Sequence, residues 1–140
     1  MPNFDPRTLN KCAFEALTNL RKEHQKLVPD FEKAKKGLKD QKNQAMEIYT
    51  YLSTWGLMRL KAEEKAISKE QDERRKVVKS FFKYLQELAE RNDLAGDDDL
   101  KNFVKLSANE YLGLTGLAIE LANEFGFWAN AVYHDITGAQ

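Results

Sequence analysis

The sequence predicts an all-α fold: one compact bundle of about five helices spanning residues 1–140 as a single domain. Three observations predict it. The chain of 140 residues is 31% charged and 42% hydrophobic, with only three prolines and seven glycines, a composition suited to helices around one core. Its apolar residues recur at spacings of three and four, and no stretch alternates with the period of two that a strand requires.

Asp5 before Pro6 marks the first start, with an acceptor side chain at the cap and a preset φ at the first helical position. Leu9, Ala13, Ala16, Leu17, Leu20, His24 and Leu27 then form one stripe. Arg7, Lys11, Lys22 and Lys26 lie opposite it, and Pro29 ends the helix. A long second helix is expected from about Asp30 to Lys65, with Phe31, Ala34, Leu38, Ala45, Ile48, Tyr49, Leu52 and Gly56 near one line. Gly37 is a candidate break or bend, and Gly56 a place for close approach of another backbone. Lys33, Lys36 and Lys39 point away from the core side.

Ser68 with Gln71 reads as a capping box that opens a third helix running to about Arg91. Its apolar arc (Val77, Val78, Phe81, Phe82, Leu85, Leu88, Ala89) begins late, so the turns "KEQDERRK" are expected to project beyond the core. Lys69, Lys76, Lys79 and Lys83 lie opposite that arc, and Arg74 shares its side but stands outside the core. After the loop "NDLAGDDD", Asp97 or Asp98 is expected to cap a short helix carrying Leu100, Phe103 and Val104. Ser107 with Glu110 forms a second capping box and opens the last helix.

That last helix is unusual. Tyr111, Leu114, Thr115, Ala118, Leu121, Ala122, Phe125 and Ala129 form its inward line, while Leu112, Leu117, Ile119 and Trp128 widen the apolar arc beyond half the circumference. A peripheral helix needs a stripe of only about 100°, so this one is either the middle of its own bundle or shared with another subunit. The remaining face carries Asn109, Gly113, Gly116, Glu120, Asn123, Phe127 and Asn130. Gly113, Gly116, Glu120 and Phe127 are the candidate subunit contact. Glu120, Glu124 and Gly126 argue against a membrane span.

The formal net charge is zero, with 22 bases and 22 acids, but the charges are unevenly placed. From Glu110 onward stand four acids (Glu110, Glu120, Glu124, Asp135) and no base, leaving the remainder at +4. The cations Lys11, Lys22, Lys26, Lys33, Lys36, Lys39, Lys69, Arg74, Lys76, Lys79 and Lys83 are the candidate nucleic-acid contacts. Their spacing along helix faces suits a phosphate backbone, with few residues among them able to read bases. Interspersed acids such as Glu15, Glu23, Glu32, Asp72 and Glu73 leave open the alternative of an ordinary solvated surface.

Catalytic constellations are missing from the pattern. Di-metal helical bundles need Glu three residues before His, but those slots before His24 and His134 hold Arg21 and Ala131. His24 continues an apolar stripe and reads as a partly buried core histidine. Cys12 has no second thiol, and Asp97, Asp98 and Asp99 complement a helix dipole more simply than they hold a metal. No phosphate-cradling glycine loop or nucleophile–base pair is present, so no enzyme, metal or cofactor is expected. The single cysteine and an N-terminus "MPNFDPRTLN" without an apolar signal region lead to an expected cytoplasmic location.

The stretch "NEYLGLTGLAIELANE" (Asn109 to Glu124) resembles the C-terminal signature of the small subunit of type III-B (Cmr) CRISPR effector complexes. Upstream, "STWGLMRLKAEE" and "VVKSFFKYLQELAE" are similar to that family's glycine-leucine helix and the amphipathic helix after it. The likeness covers about the last two thirds of the chain and departs at Gly116, Leu117 and the uncharged "GFWANA". The resemblance implies a non-catalytic helical subunit of an antiviral ribonucleoprotein. Such subunits stack in several copies beside other subunits and face the guide RNA and target RNA backbone, with no membrane or small-molecule substrate. The competing reading is a small protein-interaction module or regulator whose cations only solubilise it.

Overall fold

The computed structural model describes residues 5–137, which form six α-helices and one 3₁₀ turn with no strand among them. α1 (Pro6–Leu27) opens where expected: Asp5 accepts from the Arg7 amide and Pro6 stands in the first turn. Asp30 caps α2 (Phe31–Trp55) through the amides of Glu32 and Lys33.

The expected long second helix is instead two helices. Gly56 adopts φ +89°, which ends α2 and starts α3 (Leu57–Ala66). Only glycine takes that conformation without a Cβ penalty. The exposed first-turn amide of Met58 is met by the hydroxyl of Tyr111 at 2.9 Å. Gly37, in contrast, continues the helix unbroken.

Ser68 makes no side-chain cap; a 3₁₀ turn (Lys69–Gln71) intervenes, and α4 (Asp72–Leu88) begins after it. Nor do the turns before Val77 stand clear of the core. Glu73 reaches His24 and Gln41, and Arg75 donates to the carbonyls of Glu64, Lys65 and Ile67 at the end of α3. Long charged side chains thereby close the gap that apolar residues leave. α5 (Leu100–Val104) is flanked by Asp99 rather than Asp97 or Asp98. The Asp99 carboxylate binds the Gly96 amide and the Asn102 side chain instead. The Ser107–Glu110 capping box opens α6 (Ala108–Val132) as expected.

The middle of the bundle belongs to α2. Gln41, Lys42, Asn43, Gln44 and Ala45 are consecutive and all buried, which requires neighbours on every side. α1, α4 and α6 supply them. α1 runs antiparallel to α2, as the contacts His24–Ala34 and Leu20–Gln41 fix. It is also antiparallel to α4, through His24–Glu73 and Asn19–Tyr84, and parallel to α6, through Asn10–Trp128 and Arg21–Val132. The core includes an edge-to-face aromatic chain, Phe125–Phe81–Phe82–Phe103, a geometry favoured by the ring quadrupoles.

α6 is therefore not the central helix. Leu114, Ala118, Leu121, Ala122, Phe125 and Ala129 are buried, while Asn109, Leu112, Gly113, Gly116, Glu120, Asn123, Phe127 and Asn130 are exposed. Leu117, Ile119 and Trp128 are half-buried against the core, which accounts for most of the extra width of the apolar arc. The last turn of α6 has no basic residue of its own. Arg21 donates to the Val132 carbonyl at 2.7 Å, and the buried Lys42 ammonium to those of Tyr133 and Ile136 at 3.3 and 2.8 Å. Cations from α1 and α2 thus satisfy the orphan carbonyls and oppose the negative end of the dipole.

Candidate nucleic-acid interface

The antiparallel pairing of α1 with α4 brings two of the predicted cationic groups together. Asn19, Lys22, Glu23 and Lys26 recur at three and four residues on α1, and Lys79, Ser80, Lys83 and Tyr84 do so on α4. Between them runs a groove of about 310 Å³ lined by Ala16, Asn19, Leu20, Glu23, Lys79, Ser80, Lys83, Tyr84 and Ala95. A second depression lined by Asn19, Lys22, Glu23, Gln25 and Lys26 shares its Asn19 and Glu23 edge. Alanines at positions 16 and 95 keep the groove open, and the Asn19 amide bonds the Tyr84 hydroxyl across it.

The lysines around this groove are not equivalent. Lys22, Lys26 and Lys83 are exposed and have no ion pair among the described residues. Lys79 is bound to Asp97 at 2.7 Å, and Lys76 to Glu73 at 2.9 Å. Those hydrogen bonds raise the pKa of both ammoniums, so each is firmly charged yet already neutralised by its neighbour. The stripe expected along one helix (Lys69, Lys76, Lys79, Lys83) is thus split: Lys69 is exposed in the 3₁₀ turn, two members are paired, and Lys83 alone is free on α4.

The other candidates lie elsewhere. Lys33 and Lys39 are exposed on α2 without a pair among the described residues, and Lys36 pairs with Asp40 at 3.2 Å. Lys11, near the start of α1, stands 3.8 Å from Glu15. Arg74 points into the α2–α4 junction, where it binds Glu47 and Gln44. It lines a separate groove with Trp55 and Glu63.

The predicted subunit contact is placed on one open surface. A Cβ built on Gly113 or Gly116 meets no atom within 4 Å, and Glu120 is exposed between these glycines and Phe127. Phe127 stacks edge-on against Trp128, which stacks in turn on the exposed Phe14 of α1. The whole forms a lightly charged surface with an aromatic end.

Sequence reasoning missed a buried polar network. Gln41 donates to Glu73 at 2.7 Å and to the Leu20 carbonyl at 3.1 Å, and accepts from the buried Tyr133 hydroxyl at 2.6 Å. His24 lies 11% exposed with Nδ1 3.6 Å from Glu73 and Nε2 3.2 Å from the Ala34 carbonyl. A signal was present. Gln41 completes the spacing 34, 38, 41, 45, 48, 52 along the seam of α2, where a polar residue must find partners. Also missed was the buried Lys61–Glu64 pair on α3.

Among the described residues no group of three or more His, Cys, Asp or Glu could hold a metal ion, and no helix is long and apolar enough to cross a membrane. Cys12 is a half-buried free thiol whose pKa is raised by burial. No protein-family model, curated protein or solved structure matches the chain.

Proposed function

We propose that this chain is a non-catalytic, nucleic-acid-binding assembly subunit, of the kind found as the small subunit of type III-B (Cmr) effector complexes. It would meet the guide RNA and target RNA backbone through the α1–α4 groove. One observation carries the reading: Lys79 and Lys83 line the α1–α4 groove, Lys22 and Lys26 line the depression that shares its Asn19 and Glu23 edge, and Lys22, Lys26 and Lys83 are free of ion pairs among the described residues. Unpaired cations at helical spacing attract phosphates whatever the base sequence, and the amide and hydroxyls of Asn19, Ser80 and Tyr84 add donors for phosphate oxygens. The outer face of α6 at Gly113, Gly116, Glu120 and Phe127 is exposed, so it would stay available to neighbouring subunits, including further copies of the chain, while RNA occupied the groove.

The test is affinity purification from the native host with sequencing of bound RNA. Small RNAs with a constant 5′ tag, together with effector-complex subunits, are the expected companions. Changing Lys22, Lys26 and Lys83 to glutamate should leave helicity intact, because none is paired among the described residues, yet abolish target-RNA protection by the assembled complex. Normal protection by that variant would remove the groove as the RNA face.

A second reading is favoured by the open face of α6: a protein-interaction module with no nucleic-acid role. Gly113→Leu and Gly116→Leu would then prevent partner co-purification while the lysine variant behaves as wild type.

A further inference from the structure

α3, packed against α4, carries a lysine that the fold does not need for solubility. The Lys61 side chain is 2% exposed, and its ammonium lies 3.1 Å from the carboxylate of Glu64, whose side chain is 5% exposed. It also stands 4.9 Å from the centre of the Phe82 ring. An ammonium has three N–H donors; here one goes to Glu64 and the ring face attracts the charge, which leaves donor capacity directed at neither. Desolvating such a pair can cost more than its attraction returns, and apolar residues of similar volume often replace buried pairs without loss of stability.

Lys61 is one of the residues around a pocket of about 250 Å³, which it lines with Glu64, Lys65, Arg75, Lys79 and Asp97. Every lining residue is charged, with four cations against two carboxylates. Asp97 is a replaceable member: it is largely exposed on the loop before α5, and among the described residues its ion pair is with Lys79. Lys65 is exposed and stands 3.6 Å from the exposed Asp98. Arg75 commits Nε and Nη2 to the carbonyls at the end of α3, but its Nη1 is only 3.8 Å from Asp72.

We propose that this pocket binds a phosphoryl dianion, either inorganic phosphate or the terminal phosphate of a nucleotide chain. The lining residues themselves carry two more cations than carboxylates, with the exposed Asp98 and half-exposed Asp72 as loose counter-ions that an entering anion would displace; a phosphate monoester, which carries about −1.5 to −2 near neutral pH, matches that excess better than a backbone diester. The pocket's volume of about 250 Å³ is ample for a tetrahedral anion among Lys61, Lys65, Arg75 and Lys79. Charge-assisted bonds to a desolvated cation are the strong class, and Glu64 holds the ammonium in place when the site is empty. The site is separate from the α1–α4 groove apart from Lys79, which borders both. It therefore does not depend on the groove's binding RNA.

The probe is inorganic phosphate, titrated calorimetrically into the full chain at low ionic strength with chloride as the control anion. Saturable binding with a dissociation constant of about 1 mM or tighter is expected. Lys61→Gln should weaken it about tenfold or more, the usual scale for removing a charge-assisted bond. Glu64→Gln should tighten it, because the competing charge goes while an acceptor for Lys61 remains. This second variant keeps the test decisive if Lys61→Gln lowers helicity. A trinucleotide with a 5′-phosphate that displaces phosphate, where its 5′-hydroxyl counterpart does not, assigns the site to nucleic-acid ends; failure of both assigns it to free phosphate. The proposal is overturned by non-saturable binding, or by a Glu64→Gln protein that binds no more tightly than wild type. Phosphate binding that survives in the Lys22, Lys26 and Lys83 variant is expected, and its loss there would place the anion in the groove instead.

Discussion

The imidazole of His24 occupies the space that a side chain at Gly37 would need, so the glycine is the notch through which α1 approaches α2. The ring is not free to move aside, since its two nitrogens face the Ala34 carbonyl and the Glu73 carboxylate. Alanine normally gains about 1 kcal/mol over glycine inside a helix. Gly37→Ala should nevertheless lose about 1 to 3 kcal/mol, the scale of overpacking in a closed site. Gly113→Ala and Gly116→Ala meet open space and should each gain about 0.5 to 1 kcal/mol. Urea denaturation of the three variants checks the contrast, and equal signs at all three positions would refute it.

The Arg21–Asp135 pair makes stability depend on acid in a predictable direction. The Arg21 guanidinium, at 2.6 Å, holds the Asp135 carboxyl down to about 2 from its ordinary 3.8. A carboxyl whose folded pKa is depressed stabilises the protein above its unfolded pKa, and that contribution disappears as pH falls from about 4 toward 2. Because the carboxylate is about one third exposed, screening limits the effect to about 1 kcal/mol or less. Thermal melts of wild type and Asp135→Asn should therefore converge as pH falls to about 2. A gap that is constant with pH would mean the aspartate acts by shape and not by charge.

Much of the fold was legible because its signals are local. Asp5 with Pro6, Pro29, the Ser107–Glu110 box and the apolar lines of α1, α4 and α6 all depend on residues within one or two turns. The break at Gly56 was hidden because Leu52, Gly56 and Leu60 keep helical spacing across it; periodicity is blind to a single residue in the left-handed region. The identity of the central helix was hidden for another reason. The run Gln41, Lys42, Asn43, Gln44 looks like surface until partners as distant as Tyr133 and Ile136 are brought to it. The candidate site divides likewise. Exposure of Lys22, Lys26 and Lys83 followed from the helical faces, whereas neutralisation of Lys79 depends on a loop aspartate whose position no spacing rule fixes.

Glu90 lies at φ +56°, just beyond the end of α4, where the Arg91 amide reaches back to the Gln86 carbonyl. This is the left-handed position that commonly closes a helix and usually holds glycine. Holding a residue with a Cβ there costs about 1 to 2 kcal/mol. Glu90→Gly should recover about 1 kcal/mol, with part of the gain offset by the greater entropy of the unfolded chain. A rise in the denaturation midpoint without change in its slope is the expected result, and a fall would show that the Glu90 side chain contributes more than its backbone costs.

The groove lysines make the most discriminating prediction, because the structure separates free cations from neutralised ones. Replacing Lys22, Lys26 and Lys83 by glutamine should leave stability within about 0.5 kcal/mol, as expected for exposed residues without partners. If the proposed groove binds RNA, affinity should fall, and the magnitude of the logarithmic salt slope should drop by about 0.7 to 0.9 for each phosphate no longer neutralised. Replacing Lys76 and Lys79 should change the slope less, since Glu73 and Asp97 already supply the counter-charge that a phosphate would otherwise bring. On the proposed reading, two unrelated RNAs of equal length should bind within several-fold of each other, because lysines that met the backbone would carry no base-reading geometry. Fluorescence anisotropy over a range of salt concentrations measures both quantities. A salt slope unchanged by removal of the three free lysines, or a larger change on removing the paired two, would refute the groove as an RNA face, with the exposed Lys33 and Lys39 of α2 the next surface to test.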